Sequence, residues 1–183
     1  MCVENKHVFD IEKSKHLESR FRKFFQNPKR LFKKYIIDGM SVLDFGCGPG
    51  FFSIEIAKLK KVKKVISVDL QKGMLDIISK KIIDTDIKQK IELVNCTKTE
   101  IGYFGKVDMI VAFYVLHEVP DSKKILSDFF NLLNPGGILY VAEPKHHVNK
   151  NDFNDLIGVA KEIGFNIIKS PWVIGSFAAV FRK

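Results

Sequence analysis

Short apolar runs alternate with stretches of helical periodicity through most of this 183-residue sequence, and this alternation restricts the possible folds more than any other feature. Strands that alternate with helices build a parallel sheet with helices on both faces. The last two apolar runs are too close together for a helix between them, so we expect them to be antiparallel. Strands are predicted over residues 42–45, 65–68, 91–94, 107–112, 138–142, 165–169 and 176–181.

The helical stretches are bounded by residues that start or stop helices. Residues 12–37 carry apolar side chains at three-to-four spacing, and Asn27-Pro28 divides them into two helices that end before Gly39. We therefore expect one domain, in which a helical cap of residues 1–37 covers a core of residues 38–183. Further helices are predicted over residues 51–59, 74–83, 121–133 and 152–163, and an Asn-Pro-Gly-Gly turn over residues 134–137.

A glycine-rich loop follows the first predicted strand, where Asp44 precedes Gly46, Gly48 and Gly50. Parallel sheets bind ligands beyond the carboxyl ends of their strands, so this loop is a candidate binding site. A dinucleotide-binding fold would place the third glycine one residue later, where Phe51 stands, and no Lys-Ser/Thr pair follows to indicate a P-loop. The spacing favours a nucleoside ligand that lacks a pyrophosphate.

Asp69 ends the second predicted strand, in Val68-Asp69-Leu70. A carboxylate at this place can accept hydrogen bonds from both hydroxyls of a ribose. An isolated aspartate at a strand end would more often cap the next helix. Its position after the glycine loop favours ribose binding.

The glycine loop, the segment around Asp69 and two later segments resemble, in order and spacing, the motifs of the class I S-adenosylmethionine-dependent methyltransferases. Within that class the sequence is most similar to the small type-11 or ubiE-like group. The resemblance implies an α/β fold, a three-layer Rossmann-like methyltransferase sandwich with a mostly parallel seven-stranded sheet and an antiparallel last strand. The segments are residues 42–50, 68–70, 107–111 and 132–137, and the likeness to the group rests partly on residues 112–120.

The resemblance also implies that S-adenosylmethionine is the cofactor and S-adenosylhomocysteine the product. It places Asp44 where it orders the loop and faces the amino group of the methionine part, and Asp69 at the ribose. Thr97 stands where the family often has an aspartate that meets the adenine amino group, so an uncharged hydroxyl replaces a carboxylate there. The other implied contacts are Gly46, Cys47, Gly48 and Gly50 beneath the methionine part, Leu70 and Met74 as adenine walls, Cys96 beside Thr97, and Ala112 and Phe113 beside the transferring methyl group.

The implied reaction is an in-line displacement that moves the methyl group to an acceptor that the sequence does not identify. A base is needed only for an acceptor that is protonated at the working pH. His117 and Glu118 follow the fourth predicted strand and are the candidate catalytic residues. Tyr114, His117 and His146 are the candidate substrate contacts. A histidine that packs over the cofactor is an equally open interpretation of His117.

Metal-ligand side chains also occur in this region, but their spacing does not indicate a metal site. His117, Glu118, Glu143 and His146 have suitable side chains, yet they contain no histidine pair at i, i+3 or i, i+4, so we predict no metal. The three cysteines of the sequence are widely spaced, which argues against a disulfide framework or zinc ribbon and favours a reducing compartment. No apolar run reaches bilayer length, so we expect no membrane partner. The N-terminal residues show no secretory signal, which favours a cytoplasmic protein. We expect it to be a monomer or a homodimer.

The excess of basic residues could indicate a polyanionic partner such as RNA. Thirty basic and 21 acidic residues give a net charge of +9, and only four of the basic residues are arginine. Arginine is the preferred residue for bidentate recognition of phosphates and bases, so the lysines are interpreted as a solvated surface. Little of the chain is left outside the core, which favours a small-molecule acceptor. An RNA methyltransferase that uses the basic surface and a non-catalytic S-adenosylmethionine-binding protein remain alternatives.

Overall fold

Seven strands form one sheet in the computed structural model of the protein, which describes residues 26–183. Each predicted strand is found, and most are longer by one to three residues at an end. The strands are β1 (Met40–Phe45), β2 (Val62–Asp69), β3 (Ile91–Asn95), β4 (Val107–Phe113), β5 (Leu133–Pro144), β6 (Asn166–Lys169) and β7 (Ser176–Arg182).

The strands lie in the order β3-β2-β1-β4-β5-β7-β6. β1 pairs in parallel with β2 on one side and with β4 on the other. β7 runs antiparallel to both of its neighbours, β5 and β6. This order confirms the predicted mostly parallel sheet with an antiparallel last strand. Because the chain reverses its direction of winding between β1 and β4, the carboxyl ends of these strands border the crevice where such sheets bind ligands.

Helices cover both faces of the sheet, as predicted. Neighbouring strand residues alternate between the faces, so that Val42 packs with one helical layer and Leu43 with the other. The helices are α1 (Pro28–Phe32), α2 (Phe51–Ala57) and α3 (Lys72–Ile82) on the Val42 face, and α4 (Ser122–Leu132) and α5 (Lys150–Ile163) on the Leu43 face. None of the helices described in residues 26–183 has the length and apolar character needed to span a membrane.

The start of α1 is as predicted, but the helix is shorter. The side chain of Asn27 accepts hydrogen bonds from the backbone N–H groups of Lys29 and Arg30, at 3.0 and 3.3 Å, and Pro28 is the first helical residue. The sequence pattern predicted helix up to the residue before Gly39. The predicted helix within residues 12–25, and with it most of the proposed cap, lies outside the described residues.

The chain leaves α1 early because the next apolar side chains have to reach the core. The backbone N–H of Tyr35 donates to the carbonyl of Phe32 at 2.8 Å, which closes a turn in place of a further helical residue. Ile36 and Met40 then enter the core on the approach to β1. Burial of these two side chains outweighs the weak helical preference of a short segment.

The predicted turn at residues 134–137 is wrong in one respect, because these residues belong to β5. The register between β4 and β5 shifts here, so that Val107 pairs with Leu133 while Met109 pairs with Ile138. Gly136 has a positive φ of 76°, which lets the extra residues bulge without leaving the sheet. On the other side of β5, Lys183, which follows β7, donates its N–H to Gly137 O, and its own carbonyl oxygen accepts from Gly136 N–H.

We expect Phe32 to contribute strongly to stability, because it fastens α1 to the sheet. Its ring meets those of Phe52 and Tyr140 edge-on, with centroid distances of 5.3 and 5.0 Å, and all three rings are buried. Phe32→Ala should lower the free energy of unfolding by about 3–5 kcal/mol in urea denaturation. Ile37→Ala is the matched control at an exposed position and should change it by less than about 0.5 kcal/mol. Equal effects would contradict this packing role.

Candidate active site

The glycine loop between β1 and α2 is held close to two neighbouring elements. Gly46 and Gly50 have positive φ angles of 71° and 91°. A Cβ atom on Gly46 would lie 2.5 Å from Cγ2 of Val115, and one on Gly50 would lie 2.8 Å from Cγ1 of Ile78. A side chain at either position is therefore excluded by both backbone conformation and space.

Asp69 joins this loop to the start of α3. Its Oδ2 accepts a hydrogen bond of 2.8 Å from the N–H of Gly48, and its Oδ1 accepts one of 2.8 Å from the N–H of Gln71. Burial raises the pKa of this carboxyl group, and the two backbone donors oppose the rise. Within residues 26–183, the Asp69 side chain accepts these two hydrogen bonds, and a carboxylate has lone pairs to accept more.

Asp44 lies at the base of the loop in a buried chain of hydroxyl groups. Its Oδ2 accepts a hydrogen bond of 2.6 Å from Ser53 Oγ, which in turn accepts one of 2.8 Å from Ser67 Oγ. All three residues are buried. Asp44 thereby holds the first turn of α2 against β1 and β2. Neither serine was predicted from the sequence, although Ser67, a serine within an otherwise apolar buried strand, is a signal of a polar partner.

The segment after β3 is closely attached to Asp69 through its backbone. Asn95 Nδ2 donates to the carbonyl oxygens of Asp69 and Leu70, both at 2.9 Å, and the N–H of Cys96 donates to Asp69 O at 3.1 Å. Thr97 is exposed, and its hydroxyl oxygen accepts hydrogen bonds from the N–H groups of two following residues. The Thr97 hydroxyl is therefore used within its own turn. An adenine contact by Thr97 or Cys96 stays a prediction.

The residues predicted to form apolar walls differ in exposure. Met74 in α3 and Ala112 and Phe113 at the end of β4 are buried, whereas Leu70 is exposed at the tip of the loop after β2. Leu70 is thus available for contact with a ligand, whereas the other three side chains are covered by the protein. Their direct contact with a cofactor stays a prediction.

Tyr114 directly follows β4 and connects three parts of the chain. It has a positive φ of 64°, which is unusual for a residue with a side chain. Its N–H donates to Ala142 O at 2.8 Å, and its hydroxyl shares a hydrogen bond of 2.5 Å with Ser176 Oγ and accepts one of 2.6 Å from Gln26 Nε2. Ser176 and Gln26 were not predicted from the sequence, because only the fold brings them to this point.

Glu143 provides the least expected contact of the site. It lies in β5 with its side chain almost fully buried, and its Oε1 accepts a hydrogen bond of 2.9 Å from the N–H of Leu116. Its Oε2 forms a hydrogen bond with Nδ1 of His117. The carboxylate therefore orients both the backbone and the imidazole of the segment after β4. From the sequence, Glu143 was a candidate only as a metal ligand.

Glu118 lies on the other side of the His117 ring, with its Oε1 3.9 Å from Nε2. Burial raises the pKa of the Glu118 carboxyl group. The charge of His117 lowers that pKa, while the negative charges of Glu143 and Asp69 raise it further. The structure thus places the two predicted catalytic residues beside Glu143 near the end of β5, within the electrostatic reach of Asp69 at the end of β2.

His146 and His147 lie in the exposed turn after β5. The His147 ring stacks on that of His117 at 5.3 Å between centroids, and the His146 ring lies 4.4 Å from that of His147. Burial and the two neighbouring imidazoles lower the pKa of His147. His146 therefore meets His117 only through another ring. Within residues 26–183, no cluster of three or more His, Cys, Asp or Glu side chains is arranged to hold a metal ion.

Comparison with known proteins decides the family. A family described as a methyltransferase domain matches residues 36–168. The chain belongs to this family. A demethylmenaquinone methyltransferase of Lactobacillus johnsonii is 29% identical over 149 residues, which cover 76% of this chain and 61% of the relative. The ubiquinone/menaquinone biosynthesis C-methyltransferase UbiE of Vibrio vulnificus is 30% identical over 150 residues, which cover 76% of this chain and 55% of the relative.

A solved structure agrees with the fold of this methyltransferase. The S-adenosylmethionine-dependent methyltransferase of Aquifex aeolicus superposes with a TM-score of 0.82 at 23% identity, covering 96% of this chain and 99% of that one. The predicted class I S-adenosylmethionine-dependent methyltransferase of the ubiE-like group is thereby confirmed, and with it the enzyme class and the cofactor at the level of the family. The chain spans only about three-fifths of the length of the curated relatives named above.

The thiol of Cys96 should be unreactive in the folded methyltransferase. Burial and the neighbouring charge of Asp69 raise its pKa to about 11. Because only the thiolate attacks iodoacetamide, we expect alkylation at about pH 8 to be roughly a hundredfold slower than that of free cysteine. Site-resolved mass spectrometry measures the rate, and unfolding in urea should restore it. A native-state rate equal to the unfolded one would contradict the described burial.

Proposed function

We propose that this methyltransferase acts on a small-molecule acceptor at the edge formed by the carboxyl ends of β1, β2, β4 and β5. The observation that carries the proposal is the hydrogen bond between buried Glu143 and His117. Val115, two residues before His117, packs against Gly46 of the glycine loop. A fixed imidazole beside a nucleoside-binding loop is suited to remove a proton from an acceptor at that loop.

The residues at the loop fit S-adenosylmethionine. Asp69 is a buried carboxylate with two hydrogen bonds and capacity for more, which suits it to accept from ribose hydroxyls. Gly46 and Gly50 let the loop turn with positive φ while it packs closely against Val115 and Ile78, which fixes the loop backbone beside Asp69. The remaining residues that would hold the cofactor are Asp44, Cys47 and Gly48 at the methionine part, Leu70, Met74, Cys96 and Thr97 at the adenine, and Ala112 and Phe113 at the methyl group.

Bound S-adenosylmethionine would supply a methyl group carried on a positively charged sulfur, and S-adenosylhomocysteine would be the leaving group. The chain's own residues bind and orient the two partners and exclude water. The acceptor has to lose one proton for the charges to balance. We assign that proton to Nε2 of His117.

Glu143 determines which nitrogen of His117 takes the proton. A buried carboxylate accepts a hydrogen bond from Nδ1–H, which leaves the lone pair on Nε2, and it stabilises the positive charge that the ring acquires. Glu143 is thus a positioning residue and His117 the proposed base. Glu118, whose raised pKa makes it retain a proton more readily than an ordinary glutamate, lies 3.9 Å from Nε2.

The names of the relatives make demethylmenaquinone the first acceptor to test. A quinone ring is electron-poor, so its reduced, dihydroxy form is the chemically reasonable nucleophile. Phenolic hydroxyl groups of that form are protonated near neutral pH, which explains why a base is needed. The partly exposed ring of Tyr114, which packs 4.6 Å from the buried ring of Phe113 at the end of β4, offers an aromatic wall for such a compound.

Asp69→Asn should weaken the binding of S-adenosylmethionine roughly 10- to 100-fold in titration calorimetry, since it removes a charged hydrogen-bond acceptor. Asp76→Asn is the matched control. Asp76 lies on the exposed side of α3, where it pairs with Lys72 at 2.9 Å, and its loss should leave the affinity unchanged. If Asp69→Asn binds as tightly as the parent protein, the assignment of the ribose site is wrong.

His117→Gln should lower kcat for reduced demethylmenaquinone by about 100- to 10,000-fold and leave the affinity for S-adenosylmethionine unchanged. Glu143→Gln should lower kcat in the same direction, because it removes the charge that orients the ring. His147→Gln replaces the exposed imidazole stacked on His117 and is the matched control, with near-parental kcat. Transfer of radiolabelled methyl groups measures all four rates.

The pH dependence separates a base from a structural residue. As the pH rises, an increasing fraction of the acceptor hydroxyl ionises without help. The deficit of His117→Gln should therefore shrink with rising pH, whereas a deficit that is constant at every pH would contradict proton removal by His117. Label that enters RNA but no small molecule would favour the alternative of an RNA methyltransferase, and cofactor binding without any transfer would favour a non-catalytic role.

A further inference from the structure

Exposed apolar side chains are concentrated in one short segment, residues 167–174. Among the described residues, four of the eight exposed large hydrophobic side chains lie there: Ile167, Ile168, Trp172 and Ile174. Trp172 is 83% exposed. The other exposed hydrophobic residues are scattered singly along the chain, which is ordinary for a protein surface.

This segment lies beside the candidate acceptor site. The turn between β6 and β7 is closed by a bridge between Val173 and Ser176, and Ser176 pairs with Pro144 at the end of β5. The N–H of Lys145 donates to Gly175 O at 3.0 Å. Glu143, which orients His117, is therefore only two residues from the contact that holds this turn in place.

The two segments that form and flank the turn carry charge of a single sign. The sequence contains no Asp or Glu in residues 164–183 or in residues 144–151. Lys169 is exposed at the end of β6, and Lys145 is exposed with its Nζ 5.1 Å from the centroid of the Phe177 ring. We call Trp172, Ile174, Lys145 and Lys169 together the Trp172 surface. It combines protruding apolar tips with cations and has no counter-charge in its own segments.

We propose that the Trp172 surface docks on an anionic phospholipid bilayer. Tryptophan favours the boundary between headgroups and acyl chains, and lysines near an anionic leaflet add attraction. Insertion of a loop tip requires side chains that protrude, as Trp172 and Ile174 do, while a protein partner of ordinary size would need a broader apolar face. Docking rests on the proposed function only in its purpose, which is to bring a lipophilic acceptor from the bilayer to the neighbouring site.

The position of Trp172 makes a direct test possible, since it is the only tryptophan in the sequence. Tryptophan emission therefore reports this surface alone. Added vesicles of phosphatidylglycerol should shift the emission to shorter wavelength and sediment the protein, and concentrated salt should reverse both effects. Vesicles of phosphatidylcholine should do neither to a comparable extent.

Variants that keep the tryptophan define the surface. Ile174→Asp should abolish the shift. Phe104→Asp is the matched control, because Phe104 is 94% exposed but lies just before β4, toward the opposite edge of the sheet from the turn, and this variant should behave like the parent. Lys169→Gln should lower the partition coefficient on phosphatidylglycerol about fivefold.

Three results would overturn the proposal: no shift or sedimentation with phosphatidylglycerol, equal loss in Ile174→Asp and Phe104→Asp, or a Trp172 response to RNA in place of vesicles. Vesicle binding is measured without any methyl transfer. Asp69→Asn and His117→Gln should bind vesicles like the parent, so a failure of the proposed chemistry and a failure of docking are told apart.

Discussion

The buried carboxylate of Asp69 is the contact on which the rest of the site depends. It accepts hydrogen bonds from Gly48 in the loop after β1 and from Gln71 before α3, so that one side chain fixes the relative positions of two loops. Burial raises its pKa, and the two backbone N–H donors oppose the rise by stabilising the ionised form. A positively charged or hydroxyl-bearing ligand at this point restores part of the lost solvation. The same feature that orders the two loops is therefore suited to the proposed binding of a nucleoside.

Glu143 repeats this arrangement at the end of β5. It too is buried, and it too holds a neighbouring loop by a backbone N–H, that of Leu116, while its second oxygen orients His117. Parallel strands bring the two carboxylates to the same edge of the sheet, and both raise the pKa of Glu118. The edge therefore carries a local negative potential. Such a potential suits a cofactor whose sulfur is positively charged, and it would stabilise the imidazolium of the proposed reaction.

The sequence predicts the framework well because strands, the glycine loop and Asp69 are encoded by local patterns. The contacts that complete the site depend on chain crossings: Glu143 meets His117 across 26 residues, and Ser176 meets Tyr114 across 62. No periodicity carries that information. Local propensity also fails where burial competes with it, as in the shortened α1 and in the turn at residues 134–137 that the sheet absorbs into β5.

The net charge of +9 says less about a binding partner than the positions of the lysines on the fold. The densest lysine cluster, residues 58–64, spans the end of α2 and the start of β2, at the opposite edge of the sheet from Asp69. Members of this cluster pair with acidic side chains, Lys58 with Glu55 at 2.9 Å and Lys61 with Asp38 at 3.7 Å. Lys145 and Lys169 have no acidic residue in their own segments, and they flank exposed apolar side chains at the edge that carries the site. A polyanion would have to bind away from the proposed chemistry to use the lysine cluster. An anionic bilayer would instead meet Lys145 and Lys169, beside the proposed acceptor site.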